Sequence, residues 1–174
     1  MFRYIEHKNR TFLFGAYRGE KSQLDWILGE KTQRYERLYN IRFNKDLFHQ
    51  RNGGTFSKIL PDYILIYNTQ NPQEGYHLFP CVNSSIKEQG EMEQLEYPNP
   101  NGSYVVYSLG EELTAEPLDI NELIKQAFPK GDKETPFAPK LLKGNIIANA
   151  VNESLKQPKV AVCNYHNVLR FIDL

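Results

Sequence analysis

The spacing of hydrophobic residues divides the chain into predicted strands and helices. Short aromatic and β-branched runs at residues 2–6 and 11–17, separated by a polar turn, predict an opening hairpin. Residues 62–67 are apolar on both faces and predict a central strand, which the turn at residues 71–75 joins to a second strand at residues 76–82. Further strands are predicted at residues 103–109, 159–163 and 168–172.

The clearest helical pattern covers residues 22–39. Ser22 and Asp25 resemble a capping box, and apolar residues follow at helical spacing. Arg34 and Arg37 are three positions apart and would share the other side of this helix. Part of the basic surface is therefore predicted to be helical.

Weaker patterns predict the remaining elements. Residues 85–95 predict a short exposed helix, a second helix capped by Asp119 or Asn121 ends at Ala127, and a third lies within residues 141–155. Residues 44–58 predict a loop, and residues 129–136 are typical of a linker.

Strands in hairpins with peripheral helices predict an α+β fold with a strongly curved, mostly antiparallel sheet or a small barrel. A chain of 174 residues is most simply one domain, residues 1–174. Cys81 and Cys163 lie far apart without neighbouring metal ligands, so we expect no disulfide, metal or cofactor. The amino terminus is unlike a signal peptide and no long apolar run follows, which predicts a cytoplasmic protein without membrane contact.

A net charge of zero conceals a strong charge asymmetry along the chain. Residues 1–58 hold 12 Lys/Arg and 6 Asp/Glu, residues 59–124 hold 1 and 11, and residues 125–174 hold 8 and 4. Seven of the eight arginines precede residue 52. A guanidinium suits phosphate and carboxylate groups, so the first third predicts either an anionic partner or pairing with the acidic middle.

The basic residues of the first third are interleaved with aromatic residues, a mixture that suits phosphate contacts together with base stacking. The loop at residues 44–58 would close over a strand or a flipped base. The alternative is a solvated surface whose arginines pair with Glu88, Glu91, Glu93 and Glu96. The predicted nucleic-acid-binding residues are Arg18, Arg34, Arg37, Arg42, Arg51, Trp26, Tyr39 and Tyr67.

A magnesium-dependent nuclease is a further alternative. Asp62 opens a strand, and Glu6 and Lys8 lie near the end of another, so these three could mimic the site of PD-(D/E)XK nucleases. The order of the motifs differs from that family, because the strand after Asp62 carries neither an acid nor a lysine. We therefore do not expect catalysis.

Residues 38–42, 61–67 and 95–107 resemble segments of bacterial proteins linked to restriction and other DNA-defence systems. The order of strands and turns is also similar to PUA-like barrels of the EVE and ASCH type, whose members bind RNA or modified bases in DNA. These resemblances imply a nucleic-acid-binding accessory module in bacterial defence, with DNA a better candidate than RNA and with other defence proteins as partners. The alternative from another class is a protein-interaction module whose acidic middle docks a basic partner.

Overall fold

The computed structural model describes residues 3–6, 9–17, 21–30, 36–43, 60–129, 139–151 and 169–172. Within these ranges the chain forms eight strands and four α-helices. In chain order they are β1 (Arg3–Glu6), β2 (Thr11–Tyr17), α1 (Lys21–Leu28), β3 (Arg37–Phe43), β4 (Tyr63–Asn68), β5 (Tyr76–Lys87), α2 (Gln89–Gln94), β6 (Ser103–Leu109), α3 (Ile120–Ala127), β7 (Lys140–Lys143), α4 (Gly144–Asn149) and β8 (Leu169–Ile172).

Six of these strands form a mixed sheet in the order β3-β6-β5-β4-β2-β7. Its only parallel pair is β2 with β4. The described strands leave this sheet open, with β3 and β7 at its edges. Strands β1 and β8 form a separate parallel pair. The fold is therefore α+β, as the sequence predicts.

The chain forms two compact units. Unit 1 comprises Met1–Tyr17, Pro61–Pro80 and Glu111–Leu174, and unit 2 comprises Arg18–Leu60 and Cys81–Gly110. The division falls within β5, whose residues 76–80 pair with β4 while residues 81–87 pair with β6. The single domain predicted for residues 1–174 stays a prediction.

The core of unit 1 lies between one face of its sheet and helices α3 and α4. Aromatic residues pair across the parallel strands, with Phe12 stacked on Tyr63 at 5.0 Å and Phe14 on Tyr67 at 4.7 Å between ring centroids. The helices add buried side chains at Ile120, Leu123, Ala127 and Ile147. Burial of this apolar area is the main force that holds the helices on the sheet.

The core of unit 2 includes an aromatic cluster around Trp26 of α1. The Trp26 indole N–H donates to the carbonyl of Leu95 at 2.8 Å, and its ring meets Tyr97 edge to face at 4.8 Å. Tyr97 in turn contacts Tyr104 of β6 at 5.3 Å. Helix α1 and the turn after α2 are thereby joined to the sheet.

Several predicted elements are confirmed. The hairpin of residues 62–67 and 76–82 is β4 and β5, joined by a 3₁₀ turn at Pro72–Glu74. The predicted strand at residues 103–109 is β6, and the short exposed helix predicted within residues 85–95 is α2, although residues 85–87 belong to β5. Asp119 caps α3, since its carboxylate accepts the N–H of Glu122 at 3.0 Å. The last predicted strand is β8.

The predicted opening hairpin is wrong. Strand β1 pairs in parallel with β8, and β2 pairs with β4 and β7. The turn between β1 and β2 contains Asn9 at a φ of 62°, a left-handed conformation that asparagine tolerates. A polar turn between two apolar runs identified the strands but not their partners.

The predicted helix over residues 22–39 is wrong at residues 36–39, while residues 31–35 lie outside the described part of the chain. Helix α1 ends at Leu28, and Gly29 has a φ of 76°, which is typical of the residue after a helix. Arg37 begins a strand, so Arg34 and Arg37 do not share one side of a helix.

The helix predicted within residues 141–155 is only partly formed, because residues 140–143 pair with β2 as β7 before α4 begins. The loop at residues 44–58 and the strand at 159–163 lie outside the described residues, as does most of the linker at 129–136. None of the described helices combines the length and the apolar character needed to span a bilayer.

Two tyrosines of unit 1 differ in what their hydroxyl groups contact. Tyr76 donates to the carbonyl of Glu116 at 2.6 Å, whereas the buried hydroxyl of Tyr67 has no hydrogen-bond partner among the described residues. Burial raises the pKa of Tyr67 to about 12, so this hydroxyl keeps its proton at neutral pH.

We expect Tyr67→Phe to leave stability unchanged or raise it by up to about 1 kcal/mol, because it removes a buried polar group that lacks a partner. Tyr76→Phe, the same chemical change, should lower stability by about 1–2 kcal/mol, because it leaves the Glu116 carbonyl without its donor. Urea unfolding of both variants measures the difference. If Tyr67→Phe lowered the free energy of unfolding as much as Tyr76→Phe does, the Tyr67 hydroxyl would have a hydrogen-bond partner after all, which would contradict the structure.

Candidate functional site

An acidic recess of about 450 Å³ lies on unit 1. One wall is the 3₁₀ turn with the start of β5, and the other is the segment of residues 112–121, which ends in the first turn of α3. Glu74, Glu112 and Asp119 line it together with Tyr76 and Thr114. None of its described lining residues is basic.

Main-chain hydrogen bonds hold the second wall in place. The N–H of Leu113 donates to the carbonyl of Leu78 at 2.8 Å, and the N–H of Asp119 donates to that of Ala150 at 2.7 Å. The Tyr76 hydroxyl fixes the middle of the segment at Glu116. Burial, and secondarily the charge of Glu116, raises the pKa of Tyr76, so it remains a hydrogen-bond donor.

Each carboxylate of the recess is oriented through one oxygen. Glu74 Oε2 accepts from Asn68 Nδ2 at 3.1 Å, and Glu112 Oε1 lies 2.5 Å from His77 Nδ1. Asp119 Oδ1 accepts the N–H of Glu122. Among the described residues, the second oxygen of each carboxylate makes no hydrogen bond or ion pair. Three oriented carboxylates thus retain acceptors for a cationic group.

The recess does not have the features of a metal site. No group of three or more metal-ligating side chains occurs within the described residues. Metal sites need oxygen ligands gathered around a single point. The arrangement is better suited to a guanidinium or ammonium group, which can bond to carboxylates spread over a larger recess.

The predicted nucleic-acid-binding arginines are only partly described. Arg18, Arg34 and Arg51 lie outside the described residues. Arg37 and Arg42 are five positions apart on β3, so their side chains leave opposite faces of the strand. Arg42 is exposed, with its guanidinium against Gly102.

The three aromatic residues predicted to stack on bases are buried. Trp26, Tyr39 and Tyr67 are 2%, 4% and 1% exposed. Trp26 packs in the aromatic cluster of unit 2, and Tyr67 stacks on Phe14 in the core of unit 1. With their faces covered, none of the three offers a platform to a base. These three aromatic residues, although interleaved with arginines in the sequence, belong to the core. Composition alone does not distinguish a core aromatic residue from one that stacks on a base.

Asp62, the predicted nuclease carboxylate, has a structural role. Its Oδ2 accepts the N–H of Thr11 at 2.8 Å and the Thr11 hydroxyl at 3.3 Å, and its Oδ1 lies 3.4 Å from Arg10 Nη1. It therefore joins the starts of β2 and β4. The main chain of Glu6 lies in β1, opposite Ile172 of β8. Lys8 lies outside the described residues. The nuclease site stays a prediction.

The sequence did not identify the recess. The charge count indicated an acidic middle, but Glu74 lies 38 positions before Glu112, and the pairing of Leu78 with Leu113 brings the two segments together. Asp119 was predicted as a helix cap, which it is. No protein-family model, curated protein or solved structure matches this chain.

We expect Trp26, the only tryptophan of the chain, to have a blue-shifted emission that is poorly quenched by acrylamide. The reason is that its ring is buried and its N–H is bonded within the protein. Titration with single-stranded DNA should leave this emission unchanged. Strong quenching by DNA, reversed by high salt, would instead indicate that the indole stacks on a base.

We expect Asp62→Ala to lower the free energy of unfolding by about 1–3 kcal/mol, because the part-buried N–H of Thr11 loses a charged acceptor. Asp62→Asn keeps an oxygen that can accept the Thr11 N–H, so it should lower the free energy of unfolding less than Asp62→Ala does. Urea unfolding measures both. Magnesium-dependent cutting of DNA by the purified protein, abolished by Asp62→Asn without loss of stability, would instead support the nuclease.

Proposed function

We propose that this chain is a protein-interaction module whose acidic middle segment docks a basic partner. The observation that carries the proposal is the acidic recess, in which Glu74, Glu112 and Asp119 each keep an oxygen for a cation. A lysine or arginine side chain of the partner would enter this recess. Catalysis is not part of the proposal.

The composition of the middle segment supports this role. Residues 59–124 contain 11 acidic side chains and a single basic one, Lys87. Lys87 Nζ lies 3.5 Å from Glu91 Oε2, so its charge is paired within the chain. Like charges gathered on a surface raise the rate at which an oppositely charged partner arrives and disfavour acidic partners.

Nucleic-acid binding is the second candidate, and Arg42 favours it because its guanidinium is exposed in the basic first third of the chain. This role would rest mainly on Arg18, Arg34 and Arg51, together with the resemblance to defence-associated proteins and to PUA-like barrels. It would not use Trp26, Tyr39 or Tyr67 to stack on bases, since all three are buried. Reading of a modified base, a barrel and the bacterial defence context stay predictions from that resemblance.

We expect a labelled penta-arginine peptide to bind the protein at low salt, with an affinity that falls as salt is added. The triple variant Glu74→Gln, Glu112→Gln and Asp119→Asn should bind about tenfold more weakly, which corresponds to about 1.4 kcal/mol. These substitutions remove charge but keep the acceptors that hold the recess, including the cap of α3. Fluorescence anisotropy measures the affinity.

The matched control removes three exposed charges outside the recess: Glu36→Gln, Glu93→Gln and Glu111→Gln. It should change affinity by less than about threefold, as expected of exposed charges. An equal loss in both triple variants would mean that overall acidity, and not the recess, binds the peptide. Tighter binding of labelled DNA than of the peptide, lost in Arg42→Glu, would support the second candidate instead.

A further inference from the structure

The second half of β5 has an outer edge that no described strand covers. Strand β4 pairs only with residues 76–80, and residues 81–87 pair with β6 on the other side of β5. Among the described residues, the main-chain groups of residues 83–86 that point away from β6 have no main-chain partner, and the Asn83 carbonyl accepts only a weak hydrogen bond from Cys81 Sγ at 3.8 Å. Free donors and acceptors along a strand edge are a template for another strand.

Two features limit how far this edge can pair. A β-bulge interrupts the register between Cys81 and Asn83, and Lys87 with its partner Glu91 lies at the other end. Bulges and lysines are common means of protecting strand edges from unwanted pairing. Residues 83–86 between them carry no charge and no proline, so this short stretch can accept a strand.

Two exposed apolar side chains, one just before this stretch and one at its end, lie at the same edge. Val82 is 60% and Ile86 is 44% exposed, and among the described large apolar residues only Leu60, at 48%, is comparably open. A strand added at this edge would cover part of both side chains. In strand addition, main-chain hydrogen bonds supply affinity and alternate side chains supply specificity.

The charge around the edge indicates what kind of strand it accepts. Helix α2 follows β5 directly, and four exposed glutamates lie in it or beside it: Glu88, Glu91, Glu93 and Glu96. Among the described residues, Lys87 pairs with Glu91, and Arg42 on β3 adds one further positive charge on the far side of β6. Acidic side chains therefore outnumber basic ones around the edge. An incoming segment with arginine or lysine side chains would meet opposite charge, whereas an acidic segment would be repelled.

We propose that residues 83–86 of β5 are a docking edge to which an extended, basic segment of a partner protein adds as a strand. This goes beyond the function proposed for the recess, which takes a single cationic side chain in unit 1. The docking edge would instead bind the partner through main-chain hydrogen bonds, and its residues belong to unit 2.

The test uses a labelled, capped peptide of alternating arginine and valine, titrated into the full chain. Two further peptides of identical charge carry N-methyl groups on either the valine or the arginine amides. Because alternate residues of a strand direct their N–H groups to opposite edges, we expect one methylated peptide to lose at least about tenfold in affinity. The other should bind like the parent peptide.

Two controls on the protein place the binding at β5. Ile86→Ser should weaken the parent peptide several-fold, while Leu60→Ser, an equivalent change at another exposed apolar residue, should not. The main-chain amides of residues 83–86 should gain protection from hydrogen exchange when the peptide is bound. The triple variant of the recess should still bind it.

Three results would overturn the proposal. The first is equal binding of all three peptides, which would mean that no peptide N–H takes part. The second is loss of binding in the recess variant but not in Ile86→Ser, which would place the peptide in the recess and leave the proposed function standing. The third is no binding of any of these peptides at low salt while penta-arginine still binds.

Discussion

The divided pairing of β5 is the constraint on which both units depend. One continuous strand contributes residues 76–80 to a ladder with β4 and residues 81–87 to a ladder with β6. The change of partner coincides with the bulge after Cys81, where an extra residue twists the strand and breaks the register. Because each half has only one long partner strand, part of each edge of β5 is left for other contacts.

The two halves of β5 use that remaining edge differently. In the first half, Leu113 bridges to Leu78, and the chain that follows forms the second wall of the recess before α3 begins. Buried Glu116 stabilises this wall twice, since its carbonyl accepts the Tyr76 hydroxyl and its carboxylate accepts the N–H of Phe171 at 3.0 Å. The second half of β5 has no such cover among the described residues. The same strand therefore borders the acidic recess with its first half and, among the described strands, has an uncovered edge along its second half.

The parts of the fold that the sequence predicts well are those decided by neighbouring residues. The β4–β5 hairpin follows from two apolar runs and a turn containing Pro72 and Gly75, and the cap at Asp119 needs only the next three residues. The pairing of β1 with β8 depends on residues more than 160 positions apart, such as Tyr4 and Arg170, which no local pattern encodes. Residues 37–39, predicted as the end of a helix, lie instead in β3 and pair with β6, because apolar residues at helical spacing can also fit a strand that has a buried partner.

The candidate site illustrates the same limit for chemistry. Charge counted along the chain shows that residues 59–124 are acidic, but it does not distinguish carboxylates that bond within the protein from those that are open to solvent. Asp62 bonds to Thr11 through one oxygen and lies against the Arg10 guanidinium with the other, and Glu116 accepts the main-chain N–H of Phe171. Glu74, Glu112 and Asp119 each use one oxygen, and among the described residues the other makes no hydrogen bond. Trp26 and Tyr67 show the parallel ambiguity for aromatic residues, because a ring suited to stacking on a base is equally suited to the core. In both cases it is the contacts of each side chain, and not its type, that decide whether it remains available for binding.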